Sequence, residues 1–271
     1  MATKTSLLGL TKPAYTDAAD IAVLNGNFDL IDKAVGNGAR VVNLLDNSWF
    51  VNPINQRGET SYQGIGYKKY TIDRWLTWCN EDVTISVTKE GVVIPSGGHL
   101  IQTVNPDFIK IGSHYTMAAK KSDGSLLVAN GVGGQGFGNI DSVVGEWLSD
   151  LKTYNVYLYG GAYEWVALYE GEYTADTLPL YQPKGYAAEL AECQRYYFTM
   201  PNDPFANGQT IGAGNAMMFS IQTPVAMRVN EPTLDLHGGS LTIRCNGADY
   251  PVTAVSQQGK TGCFVSFMAQ A

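Results

Sequence analysis

The sequence predicts an all-β protein, and three observations carry that prediction. Only 16% of the 271 residues are charged, well under the roughly 25% of an average soluble domain. Thirty glycines, 11 prolines and 16 tyrosines favour turns and pleated surfaces over long helices. The apolar residues fall in short runs separated by turn signals, the pattern of antiparallel strands. A coiled-coil chain would be rich in Glu, Lys, Ala and Leu, and an 11% aromatic content argues against disorder. The expected architecture is an antiparallel jelly-roll sandwich plus a smaller C-terminal β-sandwich, preceded by a short N-terminal helix. Three zones are expected: 1–42, 43–182 and 183–271.

In the first zone, Thr16 is the expected N-cap, with Asp17 and Asp20 where a helix N-terminus favours negative charge. Ile21, Leu24, Phe28, Ile31 and Val35 then recur at alternating spacings of three and four, an a/d seam over about two heptads. Gly36-Asn37-Gly38 stops it. Asn25, Gly26 and Asn27 weaken the helix, so its stripe needs a partner surface. That partner is either the rest of its own subunit or, given the narrow seam, identical subunits in a short parallel bundle or a larger assembly.

The second zone reads as about ten short strands: Asn43 to Val51, Tyr70 to Thr77, Val83 to Thr88, His99 to Val104, His114 to Ala119, Leu126 to Ala129, Tyr154 to Tyr159 and Tyr163 to Tyr169 are the clearest. Gly91, Asn105-Pro106, Ser122-Asp123-Gly124 and Gly160-Gly161 mark turns. In the third zone a helical connector over Ala187–Glu192 precedes strand candidates at Ala216–Ile221, Leu241–Cys245, Val252–Val255 and Phe264–Met268.

Composition also limits function. The net charge of −7 gives no surplus of Lys and Arg to displace counterions, so nucleic-acid binding is not expected. No run approaches the ~18 apolar residues of a membrane span, and the apolar run before Lys12 is too short for a signal-peptide core. The expectation is a chain folded in a reducing cytoplasm, with no membrane insertion. Cys79, Cys193, Cys245 and Cys263 show no C-x-x-C spacing and read as buried thiols, with a Cys245–Cys263 pairing across a C-terminal hairpin as the alternative.

Chemistry-bearing motifs are sparse. Gly131-Val132-Gly133-Gly134-Gln135-Gly136 satisfies G-x-G-x-x-G, and Ile140, Val143, Val144, Trp147 and Leu148 permit a short helix after it. A dinucleotide site needs a βαβ unit around that motif. The neighbouring segments read as antiparallel strands, so a surface loop is favoured and no cofactor is expected. His99, His114 and His237 lack metal-ligand spacing and read as sandwich residues. Glu170 and Glu172 share a strand face, but scattered acids in an acidic chain read as solvated surface. The dense aromatics of the second zone are more informative. Exposed Trp and Tyr rings offer flat apolar faces on which sugar rings stack. Trp78, Tyr115, Trp147 and Tyr163 are the candidate ligand-binding residues.

Leu8-Gly9-Leu10-Thr11-Lys12-Pro13 and Ala19-Asp20-Ile21-Ala22-Val23-Leu24-Asn25-Gly26-Asn27-Phe28-Asp29-Leu30-Ile31-Asp32 resemble the start of phage and prophage tail-fibre or baseplate-associated proteins. Asn43 to Phe50, Pro53 to Gly58, Tyr70 to Trp75 and Gly112-Ser113-His114-Tyr115-Thr116 are similar to the carbohydrate-binding-module-type jelly roll of such fibres. Glu189 to Tyr197 resembles the junction to their C-terminal domain, whereas Tyr163 to Glu172 follows the closing strand only loosely. The resemblance implies a homotrimeric virion protein of tail fibre or baseplate, assembled in the host cytoplasm. Its partners would be bacterial surface glycan and other tail or baseplate proteins, and no residue would be catalytic. The alternatives are a ligand-free structural connector or baseplate decoration, and a glycan depolymerase. Asp73 and Arg74 are expected to act as a structural pair.

Overall fold

The computed structural model describes residues 3–5, 10–14, 20–38, 41–65, 69–77, 83–137, 142–199, 208–211, 216–228, 232–234, 240–245 and 248–270. It is 47% strand and 11% helix, with multiple antiparallel sheets, so the all-β class holds. The chain divides into two compact units. One comprises Met1–Asn52, Thr60–Lys69 and Trp75–Pro183; the other comprises Pro53–Glu59, Tyr70–Arg74 and Lys184–Ala271.

The first unit opens with β1 (Thr3–Lys4) and β2 (Thr11–Lys12), a small antiparallel pair, followed by helix α1 (Ile21–Gly38). Asp20 caps the helix: its Oδ1 accepts from the Ala22 N–H at 2.8 Å. The cap is thus four residues later than the expected Thr16, which lies outside the described residues. Asn27, a poor helix former, has a specific task. Its side-chain amide exchanges two 2.8 Å hydrogen bonds with the backbone of Thr11 and ties the helix to β2. The seam itself is bare. Ile21 is 69% exposed and Phe28 57%, with Leu24 and Ile31 also exposed; the Val35 side chain lies outside the described residues.

The large sheet contains β3 (Ser61–Ile65), β4 (Leu76–Thr77), β5 (Val83–Thr88), β6 (Gly91–Thr103), β7 (His114–Lys121), β8 (Leu126–Val132), β9 (Val143–Leu148) and β10 (Thr153–Glu170). Its order is β3-β5-β6-β10-β7-β8, with β4 on β6 and β9 on β10. The sequence suggested two strands separated by a Gly160-Gly161 turn, but β10 is one 18-residue strand. The glycines form a bulge, a register shift between Tyr159 and Gly161 in the pairing with β6. The first half of β10 lies between β6 and β9, whereas its second half pairs with β7. Tyr154, Val156 and Leu158 alternate into the core, joined by Leu100, Val143 and Met117.

Two other expected strands are irregular. Asn43–Phe50 runs beside β10 through the single bridge Trp49↔Trp165 and scattered backbone bonds. Side chains take over the remaining groups. The Asn43 Oδ1 accepts from the Leu45 and Leu168 N–H groups. The buried Gln102 exchanges two 2.7 Å bonds with the backbone of Asp46. Trp75 donates its indole N–H to the Asn47 carbonyl at 2.8 Å. Asn47 adopts the left-handed region (φ 49°), which breaks the ladder. Likewise only Leu76–Thr77 of the Tyr70–Thr77 run is strand, because Arg74 turns the chain at φ 70°.

The second unit contains α2 (Tyr186–Gln194), β11 (Gly208–Ile211), β12 (Ala216–Gln222), β13 (Thr242–Cys245), β14 (Ala248–Pro251), β15 (Ala254–Thr261) and β16 (Phe264–Gln270). The sheet β11-β12-β16-β15 shares with the β13–β14 pair a core of Phe219, Ile243, Val265, Phe267 and Ala269. Cys245 ends β13 opposite Ala248, whereas Cys263 sits in the β15–β16 turn, so the two do not face each other across one hairpin. Cys193 is buried and Cys263 half-buried, and neither forms a disulfide.

Two loops from the middle of the sequence belong to this unit. The Gln56 side chain bridges the Asp73 carboxylate (3.0 Å) and the Tyr197 carbonyl (2.8 Å). The Arg57 guanidinium lies 3.9 Å over the Tyr197 ring, and Arg74 lies 3.6 Å over Tyr196. These cation–π contacts explain the arginines without a ligand. Asp73 is buried, 3.9 Å from Arg57. Burial raises its carboxyl above the ordinary value, against the lowering effects of Gln56 and Arg57.

Candidate functional site

Two of the four candidate stacking residues are core residues. Tyr115 and Tyr163 are fully buried. The Tyr115 hydroxyl accepts from the Lys110 N–H at 2.7 Å, and that of Tyr163 donates to the Tyr159 carbonyl at 2.9 Å. Their inward position in the pleat leaves no ring face for a sugar. Trp147 is half-buried at the edge of the same core, its ring edge-on to Tyr154 at 5.1 Å. Trp78 lies outside the described residues. Trp165 is also occupied, since Tyr181 stacks on it at 4.5 Å and 8°.

The G-x-G-x-x-G segment is a packing device. Val143–Leu148 forms strand β9, so no helix opens at this motif. A Cβ on Gly131 would sit 2.8 Å from the Phe137 ring, and one on Gly133 would sit 2.1 Å from the Lys110 carbonyl oxygen. The glycines admit a ring and a neighbouring backbone, and the loop is held rather than free: the Gly112 N–H donates to the Gly133 carbonyl and the Gly133 N–H to the Ser113 carbonyl, both at 2.8 Å.

The opposite face of β10 carries a different constellation. Asn155, Tyr157 and Tyr159 alternate onto this face while Tyr154, Val156 and Leu158 point inward. The register places Tyr159 opposite His99, and Asn155 opposite both Thr103 and Glu146. The Tyr157 and Tyr159 rings lie 6.1 Å apart at 13°, and the His99 ring lies 5.2 Å from Tyr159. Exposure increases along the row: Asn155 is buried, Tyr157 half-buried and Tyr159 39% exposed.

A hydrogen-bond chain orders the inner part of the row. Thr103 donates to the Asn155 Oδ1 (2.6 Å), the Asn155 amide to the Tyr157 hydroxyl (3.4 Å), and Tyr157 to the Glu146 Oε2 (2.5 Å). Burial, then the Glu146 hydrogen bond, push the Tyr157 hydroxyl up to about 12, so it remains a donor at physiological pH. Burial lowers the His99 imidazole below its ordinary value, favouring the neutral ring.

Beside the exposed end, an open cleft of ≈ 510 Å³ is lined by Ser96, Gly97, Gly98, His99, Tyr159 and Gly160. Three of these residues have no side chain, which creates the recess. Gly97 is left-handed (φ 84°), and a Cβ on Gly160 would meet the Pro95 carbonyl at 3.0 Å. The same bulge that lets β10 continue therefore shapes the cleft next to its exposed tyrosine. Among the described residues no group of three or more His, Cys, Asp or Glu is placed to hold a metal ion.

Comparison with protein-family models, curated proteins and solved structures finds no match. Sequence reading missed His99, Tyr157, Tyr159 and Glu146 as a group. Tyr157-x-Tyr159 was a legible signal, because alternate residues of one strand share a face. The pairing that adds His99 and Glu146 joins Tyr159 to a residue about 60 positions earlier and Tyr157 to one 11 positions earlier, and was not legible.

Proposed function

We propose that this chain is a host-recognition protein of a phage tail fibre or tail-like particle, binding bacterial surface glycan on the outer face of the β6–β10–β9 sheet. The observation that carries the reading is the His99–Tyr157–Tyr159 row, ordered from one end by a hydrogen-bond chain and opening at the other onto a glycine-floored cleft. Aromatic rings suit the C–H faces of sugars, and the adjoining hydroxyl, amide and carboxylate groups suit their hydroxyls. In this reading the first unit is a jelly roll.

The uncovered seam of α1 supports a multivalent form. An amphipathic helix of this length gains most of its stability by burying its apolar face. Three parallel copies would cover Ile21, Leu24, Phe28 and Ile31 and present three weak glycan sites together, raising avidity. In this reading the protein acts as part of the virion, alongside other tail or baseplate proteins, and binds without cleaving.

The test is binding of the whole chain to an array of bacterial surface saccharides, repeated with Tyr159→Ala. Retention of at least one saccharide by the native chain, lost in the variant at unchanged melting temperature, is expected. A folded chain that retains none would instead favour a ligand-free connector. Reducing ends released from a retained polysaccharide would favour a depolymerase.

A further inference from the structure

Resting on the glycan reading above, we propose that this site takes uncharged or amino-bearing sugars and rejects acidic polysaccharides, with Glu146 as the acceptor that makes the distinction. The direction of the hydrogen-bond chain is the first argument. Thr103, Asn155 and Tyr157 each donate toward the next member, and the chain ends on the Glu146 carboxylate. Each of the three groups donates to the next member, so the line terminates in acceptor lone pairs on the exposed Glu146. A carboxylate can still accept at its second oxygen and at the free lone pair of the first. Such a terminus bonds well to a sugar hydroxyl and better to an ammonium group, because the bond is then charge-assisted on both sides.

Charge is the second argument. Glu146 is exposed, and among the described residues no Lys, Arg or His comes within ion-pair distance of it. The other members of the row and cleft are uncharged at neutral pH, the His99 ring included. Among the described residues the fixed charge at the site is therefore negative, on a chain whose net charge is −7. A uronate or phosphate within about 5 Å of Glu146 would meet an unpaired like charge. Between the dielectric of bulk water and that of a protein surface that repulsion weakens binding by about fourfold to a few hundredfold, and solvent screening of the exposed carboxylate sets it on the order of tenfold. No guanidinium fork is present in the row to reverse the preference.

The experiment uses matched hexasaccharides with one backbone and one changed group. β-1,4-linked glucose, glucosamine and glucuronate hexamers form one set, and the corresponding galactose, galactosamine and galacturonate hexamers form a second. Binding to the full-length chain is measured by calorimetry at low and at high salt. In any set that binds, the neutral and amino members should exceed the uronate by about tenfold, with the gap narrowing as salt rises. Glu146→Gln, which keeps the shape and an acceptor but removes the charge, should recover uronate binding and abolish the amino preference. A uronate bound as well as its neutral partner would overturn the inference while leaving the glycan reading intact. A discrimination unchanged in Glu146→Gln would have the same effect. Binding of none of the six by a folded chain would overturn the inference together with the reading beneath it. Melting curves of the variant provide the control, and they should match the parent because the Glu146 side chain is exposed.

Discussion

Gln102 is the side chain on which the irregular Asn43–Phe50 segment depends most directly. It is 1% exposed and holds both the N–H and the C=O of Asp46 at 2.7 Å. Gln102→Leu preserves the approximate volume but removes both bonds. Each buried backbone group that loses its partner costs about 1–3 kcal/mol, so the pair costs about 2–6 kcal/mol. Burying leucine in place of an amide returns about 1–2 kcal/mol, leaving a net destabilisation of about 2–3 kcal/mol at the centre of a range that reaches about 5. The assay is urea denaturation of the whole chain, followed by a probe in the first unit. Trp75 fluorescence is suitable, since the indole N–H bonds to Asn47 in the same segment. Gln102→Glu sharpens the test. An ionised carboxylate can accept from the Asp46 N–H but cannot donate to its carbonyl, and burial raises its pKa. Protonation restores the missing donor, so this variant should regain stability as pH falls through its raised folded value, while Gln102→Leu should not. A stability loss below about 0.5 kcal/mol in Gln102→Leu would refute the reasoning. The segment would then be held by its packing, with Leu45 and Phe50 buried, rather than by these bonds.

Gly133→Ala should destabilise by about 1–3 kcal/mol, since its Cβ meets a backbone carbonyl at 2.1 Å, whereas Gly136→Ala meets its nearest atom at 3.4 Å and should be tolerated. Equal melting temperatures for these two variants would contradict the packing account. Asp73 has a folded carboxyl raised above 3.8, so its charged form is the one the fold disfavours. The native chain should gain stability relative to Asp73→Asn as pH falls through that raised value toward 3.8, and pH-independent stability differences between them would argue against it. Replacing Leu24 and Phe28 by Asp should convert a trimer to monomer in light scattering while leaving the melting of the β units unchanged, because both side chains are exposed in the single chain. An unaltered mass would place the oligomer contacts elsewhere.

Local chemistry wrote much of this protein directly into its sequence. Alternation marked β5, apolar runs between turn signals marked β7 and β16, Asp123 and Gly124 made the β7–β8 turn, and the three-four spacing marked α1. Each depends on residues a few positions apart, so a short window contains the cause. Where side chains compete with the backbone, the window was not enough. Asn43–Phe50 has strand composition, but Asn43 and the distant Gln102 take its hydrogen bonds. Gly160-Gly161 has turn composition, yet β6 and β7 hold β10 straight through it as a bulge.

The site divides in the same way. That aromatic rings would exceed what the core can hide was a matter of counting. Which rings those are was a matter of facing: Tyr115 and Tyr163 point into the sandwich and Tyr159 out of it. His99 meets Tyr159 and Glu146 meets Tyr157 only because β6 and β9 flank the same half of β10. Composition and spacing determined that the chain would be an antiparallel β protein with an amphipathic helix. The register of long-range strand pairs, which no local pattern encodes, decided where a ligand can meet it.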